Sequence, residues 1–172
     1  MQKNNKLRII NFLFFYIGWY FAVSFHNLWA AGLVICVAYM SSMLMRYKAR
    51  EVIIIIVLAL LGCISDVISY TYDLYSFTYT KHLWVVNNIW LISLWILFLT
   101  TFNGSLKFFK NTNIYLLSIF GFFGGIVSYF LANKLNAIYF PEGTFSLIYI
   151  GMVWAIVFPC LYKAYHRILQ LE

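Results

Sequence analysis

The sequence predicts an all-α integral membrane protein, a compact bundle of six transmembrane helices with both termini cytoplasmic. Three observations lead there. The 172 residues are 64% hydrophobic and only 10% charged, against about 25% charged in soluble domains. The apolar residues gather into runs close to the ~20 residues that cross a bilayer as a helix, which satisfies its own backbone hydrogen bonds in lipid. They do not alternate as barrel strands would. Third, the basic residues form short groups at the ends of those runs. Lys3, Lys6, Arg8, Arg46, Lys48, Arg50, Lys107, Lys110, Lys163 and Arg167 fall on one side of a six-span map, ten of the twelve, with Lys81 and Lys134 opposite. Cytoplasmic loops carry such an excess. The net charge of +7 therefore reads as topology, and no nucleic-acid partner is expected because no readout residues accompany it.

Each span has its own signature. Residues 8 to 25 form span one, with Gly18 before Trp19 leaving room for a neighbour. Its basic start and apolar core resemble a signal peptide, but Phe25-His26-Asn27-Leu28-Trp29 has no small residues for cleavage, so it is expected to stay as a span. His26-Asn27 is a tight turn into span two, residues 28 to 45. The basic loop from Arg46 to Glu51 leads to span three, residues 52 to 72, which begins lipid-like and ends polar. A Tyr- and Thr-rich loop then suits a headgroup interface. Span four covers residues 83 to 102, with Asn103-Gly104 closing it in a left-handed turn.

Span five, residues 113 to 133, places Ser118, Gly121, Gly125, Ser128 and Ala132 at three-four spacing. Small residues at that spacing let helix backbones approach, so Gly121 and Gly125 are expected to pack against another helix. Residues 144 to 165 form span six, where Pro159 removes a backbone donor, frees the Ala155 carbonyl and predicts a kink. The whole chain, residues 1 to 172, makes one domain. Cys36, Cys63 and Cys160 lie singly in apolar runs and form neither a disulfide framework nor a metal motif.

Asp66 is the acid deep inside an apolar run. Such a residue faces a bundle interior or cavity, because a carboxylate in hydrocarbon costs roughly 2.5 to 3.5 kcal/mol at a helix centre. Gly62, Asp66, Ser69, Tyr70 and Asp73 share a helical face. No Lys or Arg lies mid-span beside Asp66, which suits a proton-exchanging acid, a polar hook for a lipid headgroup, or a structural acid bonded to Asn88 or a Tyr hydroxyl. Trp19, Tyr70, Asn87, Asn88, Tyr129 and Asn133 would join it in an outer-half pocket rimmed by His26, Asp73, His82 and Lys134. His26 and His82 read as interfacial histidines rather than metal or haem ligands. No metalloprotease, nucleophile-elbow, P-loop or paired-carboxylate motif is present, so an enzyme of a familiar motif class is not expected, and the sequence leaves any cofactor unknown.

Asn11-Phe12, Gly18-Trp19, the stretch Gly62 to Asp66, Leu91-Ile-Ser-Leu-Trp95 through Thr100-Thr-Phe-Asn103-Gly-Ser-Leu106, and Phe123-Gly-Gly-Ile-Val-Ser-Tyr129 carry a resemblance over nearly the whole chain. The chain resembles bacterial inner-membrane proteins of the family catalogued as domain of unknown function 2878. Where that family has a Pro after the glycine pair of span five, Ile126 stands here. The resemblance implies a bacterial inner membrane and no known activity or catalytic residue. Its gene neighbourhoods, which include fatty-acid-modifying enzymes, imply a connection to lipid. Three functions follow as expectations: a protein that binds or helps modify lipid acyl chains, with membrane lipids and a lipid-modifying enzyme as partners; a proton-coupled carrier using Asp66; or a scaffold docking through the span-five glycine face.

Overall fold

Local chemistry at a few residues sets the helix boundaries in the computed structural model, which describes residues 2 to 78 and 89 to 170. The helices are α1 (Gln2–Phe25), α2 (Leu28–Met45), α3 (Ala49–Thr71), α4 (Ile89–Leu99), α5 (Ile114–Lys134) and α6 (Thr144–Leu169). All but α4 are long and apolar enough to cross a membrane. Asn27 starts α2 by accepting the Ala30 N–H at 2.9 Å, and Asn113 starts α5 by accepting that of Leu116 at 2.8 Å. Both are side-chain caps that satisfy an otherwise orphaned donor. Arg46 ends α2 in the left-handed region at φ 57°, with Tyr47 N–H returning to the Ser42 carbonyl at 3.0 Å.

Two expectations need correction, and one short strand pair adds to the helical plan. Span four was expected to reach residue 102, but α4 stops at Leu99. The Thr100 and Thr101 hydroxyls bond the carbonyls of Leu97 and Phe98 at 2.7 and 2.6 Å, and the Tyr47 hydroxyl holds the Thr100 carbonyl at 2.5 Å. Such local bonds compete with helix continuation. Gly104 does not adopt a left-handed turn, for the positive-φ glycine is Gly143. Glycine is needed at 104 because a Cβ there would lie 2.3 Å from Asn11 Oδ1. Finally, Ser76–Phe77 (β1) and Ile138–Tyr139 (β2) pair antiparallel, Ser76 opposite Tyr139 and Phe77 opposite Ile138, joining the loop after α3 to the loop after α5. Helix α6 runs on through Pro159.

The helices alternate in direction, so the start of α1, the end of α2, the start of α3, the ends of α4 and α6 and the start of α5 share one end. Bonds across that end fix the arrangement: Asn11 to Ser41 at 2.7 Å, Asn103 to Glu51 at 2.9 Å, Arg50 to the Ile168 carbonyl at 3.3 Å and Lys163 to the Thr112 carbonyl at 2.8 Å. This basic end therefore gathers the cationic groups that lie far apart in sequence. Helix α4 is central and touches α1, α2 and α3, while α3 also meets α6 and α5 packs chiefly on α6. Many large apolar side chains face outward, among them Ile9, Leu13, Ile53, Val57 and Ile64, each half-exposed or more. An outer surface this apolar suits lipid as its solvent.

Candidate functional site: an aromatic cavity beside Asp66

Asp66 is 2% exposed, and each of its carboxyl oxygens has a donor. The Trp95 indole N–H donates to Oδ2 at 2.5 Å, the Tyr129 hydroxyl donates to Oδ1, and the Tyr75 hydroxyl donates to the Asp66 backbone carbonyl at 3.3 Å. The acid thus joins α3 to α4, to α5 and to the segment before β1. Burial above all holds the Tyr75 hydroxyl well above its ordinary range, which keeps it a donor.

Two glycines make room for the aromatic partners. A Cβ on Gly62 would meet the Trp95 ring at 2.4 Å, and one on Gly125 would meet Trp154 at 2.5 Å. Between them the Trp95 and Trp154 rings stack, 5.1 Å between centroids and 4° between planes. Gly121 takes the Trp154 carbonyl and the Phe158 side chain as neighbours. The glycine face of α5 is therefore occupied by α6 of the same chain.

Beside this stack lies a cavity of about 210 Å³ between α1, α4, α5 and α6. Its wall is aromatic and aliphatic, with Trp19, Trp90, Trp95, Phe98 and Trp154 prominent and Asp66 at one edge. At its lips, Phe12 and Tyr16 of α1 and Phe120 and Val127 of α5 are each 40 to 55% exposed. Gly124 also lines it, and a Cβ there would meet nothing within 4 Å. The opening is thus sideways, between two helices, on the apolar outer face of the bundle.

Of the expected site residues, Asp66, Trp19 and Tyr129 line this cavity. Asn87, Asn88 and His82 lie outside the described residues. Tyr70, one turn past Asp66, stacks instead on Phe77, 5.7 Å between centroids. Asn133 donates to the Ile138 carbonyl at 2.9 Å and so braces β2. His26, Asp73 and Lys134 stand at the far end without lining the cavity. His26 and Asp73 are held in turns at positive φ (33° and 55°), which carries Asp73 beyond α3, and Lys134 lies over the Phe130 ring, 5.3 Å from its centroid. Nor is the cavity confined to one half of the bundle, for it reaches from Phe77 and Ile138 to Ser105 and Leu106. Among the described residues no three His, Cys, Asp or Glu side chains converge as metal ligands would.

Sequence reasoning missed Trp95, Trp154 and Tyr75. The available signal was Gly62, one turn before Asp66 on the same face, which marks a place where a bulky group meets the helix.

The family model described as "Protein of unknown function (DUF2878)" matches residues 8–160. The chain belongs to this DUF2878 family. The match takes in Asp66, Trp95, Tyr129 and Trp154, so the whole cavity lies within the DUF2878 region. No curated protein and no solved structure matches the chain.

Proposed function

We propose that this protein is a multi-pass protein of the bacterial inner membrane, with both termini in the cytoplasm, that holds a lipid acyl chain in the cavity between α1, α4, α5 and α6. The observation that carries the reading is the cavity itself: apolar and aromatic, with lips on the outward-facing sides of α1 and α5. An acyl chain could enter there without leaving hydrocarbon. Both carboxyl oxygens of Asp66 already have donors within the bundle, so the acid orients the Trp95 and Tyr129 wall instead of hooking a headgroup. A lipid-modifying enzyme would be a fitting partner, since a chain held here is separated from its neighbours in the bilayer.

Gly124→Leu tests the reading, because its side chain would fill the cavity where the wall leaves open space. Purified in mild detergent and washed free of bulk lipid, the wild-type protein is expected to retain a lipid detectable by mass spectrometry. The variant is expected to lose it several-fold while melting at a similar temperature. Equal retention by the two proteins would overturn the proposal.

A further inference from the structure

At the basic end the cavity continues into a second cleft formed by Arg8, Ile9, Phe12 and Ser105, with Phe12 and Ser105 common to both. Arg8 and Phe12 are one turn apart on α1, so the guanidinium stands directly past the last aromatic lip. Its charge has no hydrogen-bond or ion-pair partner among the described residues. The Ser105 hydroxyl is buried and likewise without a hydrogen-bond partner among them. Its position is fixed: the Ser105 backbone N–H donates to Asn11 Oδ1 at 2.8 Å, and Gly104 lets Asn11 approach. A cation and a hydroxyl donor therefore meet where an otherwise apolar groove ends.

We infer that this cleft takes the phosphate of an anionic phospholipid, bound by Arg8 and by the Ser105 hydroxyl, while one acyl chain of that lipid lies along Phe12, Tyr16 and Trp19 toward Trp95. The inference rests on the acyl-chain reading above. A planar guanidinium suits two phosphate oxygens at once. From Arg8 to Val23, which lines the deep part of the cavity, α1 rises about 22 Å, more than the ~15 Å depth of one leaflet's hydrocarbon. The groove is long enough for a whole chain. Net charge selects among phospholipids: a choline headgroup would bring a second cation beside the Arg8 guanidinium that lines the cleft, whereas phosphatidylglycerol brings none.

The test is native mass spectrometry of the full chain in mild detergent, titrated with phosphatidylglycerol or phosphatidylcholine of identical acyl chains. Wild type is expected to prefer phosphatidylglycerol by about tenfold, the scale of one like-charge contact avoided beside Arg8 at a polar surface. Arg8→Gln should bring that ratio near one, Arg8→Lys should keep most of it, and Lys6→Gln, a control for general surface charge, should leave it unchanged. A ratio unaltered by Arg8→Gln, or lost equally in Lys6→Gln, overturns the headgroup site. Gly124→Leu separates the two claims. If it weakens both lipids while Arg8→Gln changes nothing, the acyl-chain reading stands and the headgroup site alone fails. If it weakens neither, the acyl-chain reading fails and the headgroup site falls with it.

Discussion

Helix α3 carries two buried acids, Glu51 in its first turn and Asp66 near its far end, separated by 15 residues or about 22 Å. Their first neighbours are of the same kind. Asp66 accepts from a tyrosine hydroxyl and an indole N–H; Glu51 accepts from the Tyr165 hydroxyl and, at 2.9 Å, from the Asn103 amide. What differs is the far side of the donors. The rings of Trp95 and Tyr129 form a cavity wall, whereas Tyr165 and Asn103 tie α6 and the turn after α4 into the basic end, and Glu51 is not among the residues lining the cavity. Burial of an acid within an apolar chain thus does not by itself mark a site. The space its partners enclose does.

Removing the two acids should separate these roles, and the largest effect belongs to Asp66. Asp66→Ala leaves two donors orphaned in an apolar wall, each costing about 1–3 kcal/mol, so a loss of roughly 2–6 kcal/mol is expected in detergent unfolding experiments. Glu51→Ala should lose about 1–3 kcal/mol, because Asn103 is part-exposed and can turn to water, leaving the buried Tyr165 hydroxyl as the orphan. Asp66→Ala should also release bound lipid, and Glu51→Ala should not. If lipid retention falls equally in both, the distinction between the two ends collapses.

The glycines give the next effect. Gly125→Val pushes against Trp154 and should cost about 1–3 kcal/mol by overpacking, with a change in the near-ultraviolet circular dichroism of the Trp95–Trp154 stack. Gly124→Ala, one residue away in open space, should stay within about 0.5 kcal/mol of wild type. An unaltered aromatic signal in Gly125→Val would mean that the stack does not depend on that glycine. Smaller again is Tyr75→Phe, which removes one bond to the Asp66 carbonyl and should cost about 0.5–1.5 kcal/mol; a loss rivalling Asp66→Ala would make Tyr75, not the carboxyl, the centre of the cluster.

The smallest effect is one of pH and lies at the Glu51 end. Burial first, and the nearby Glu51 carboxylate second, hold the Tyr47 hydroxyl far above its ordinary range. Above about pH 10 a tyrosine in an unfolded chain ionises while Tyr47 in the folded protein keeps its proton. The unfolded state then binds fewer protons, so stability falls as pH rises through that range and is unaffected below it. Tyr47→Phe should lose less stability than wild type between pH 9 and 11; an equal loss would remove Tyr47 from the account.

Most helix boundaries were legible because their causes are local. The Asn27 and Asn113 caps, the hydrophobic runs and the break at Arg46 act within a turn or two of chain, and α2 spans the residues expected of it. The end of α4 was not legible, since Tyr47, over 50 residues earlier in the chain, holds the Thr100 carbonyl. Asp66 stood out as an acid among apolar neighbours. Its donors did not, because a tryptophan and a tyrosine in an apolar span look the same whether they face lipid or a carboxyl. Glu51 was hidden by its position in the chain, beside Arg50 in what reads as a basic loop.

Sequence alone determined that this is a helical, apolar chain with several helices long enough to cross a membrane, and that most of its basic residues fall at the ends of the apolar runs. Those are properties of composition and of periodicity along a single segment. Tertiary structure decided which faces meet: that Gly62 and Gly125 admit Trp95 and Trp154, that Asp66 is satisfied from two other helices, and that Arg8 and Ser105 close one groove. Helix rotation sets each of these, and rotation follows from the packing of all the helices together, a quantity that no single span contains.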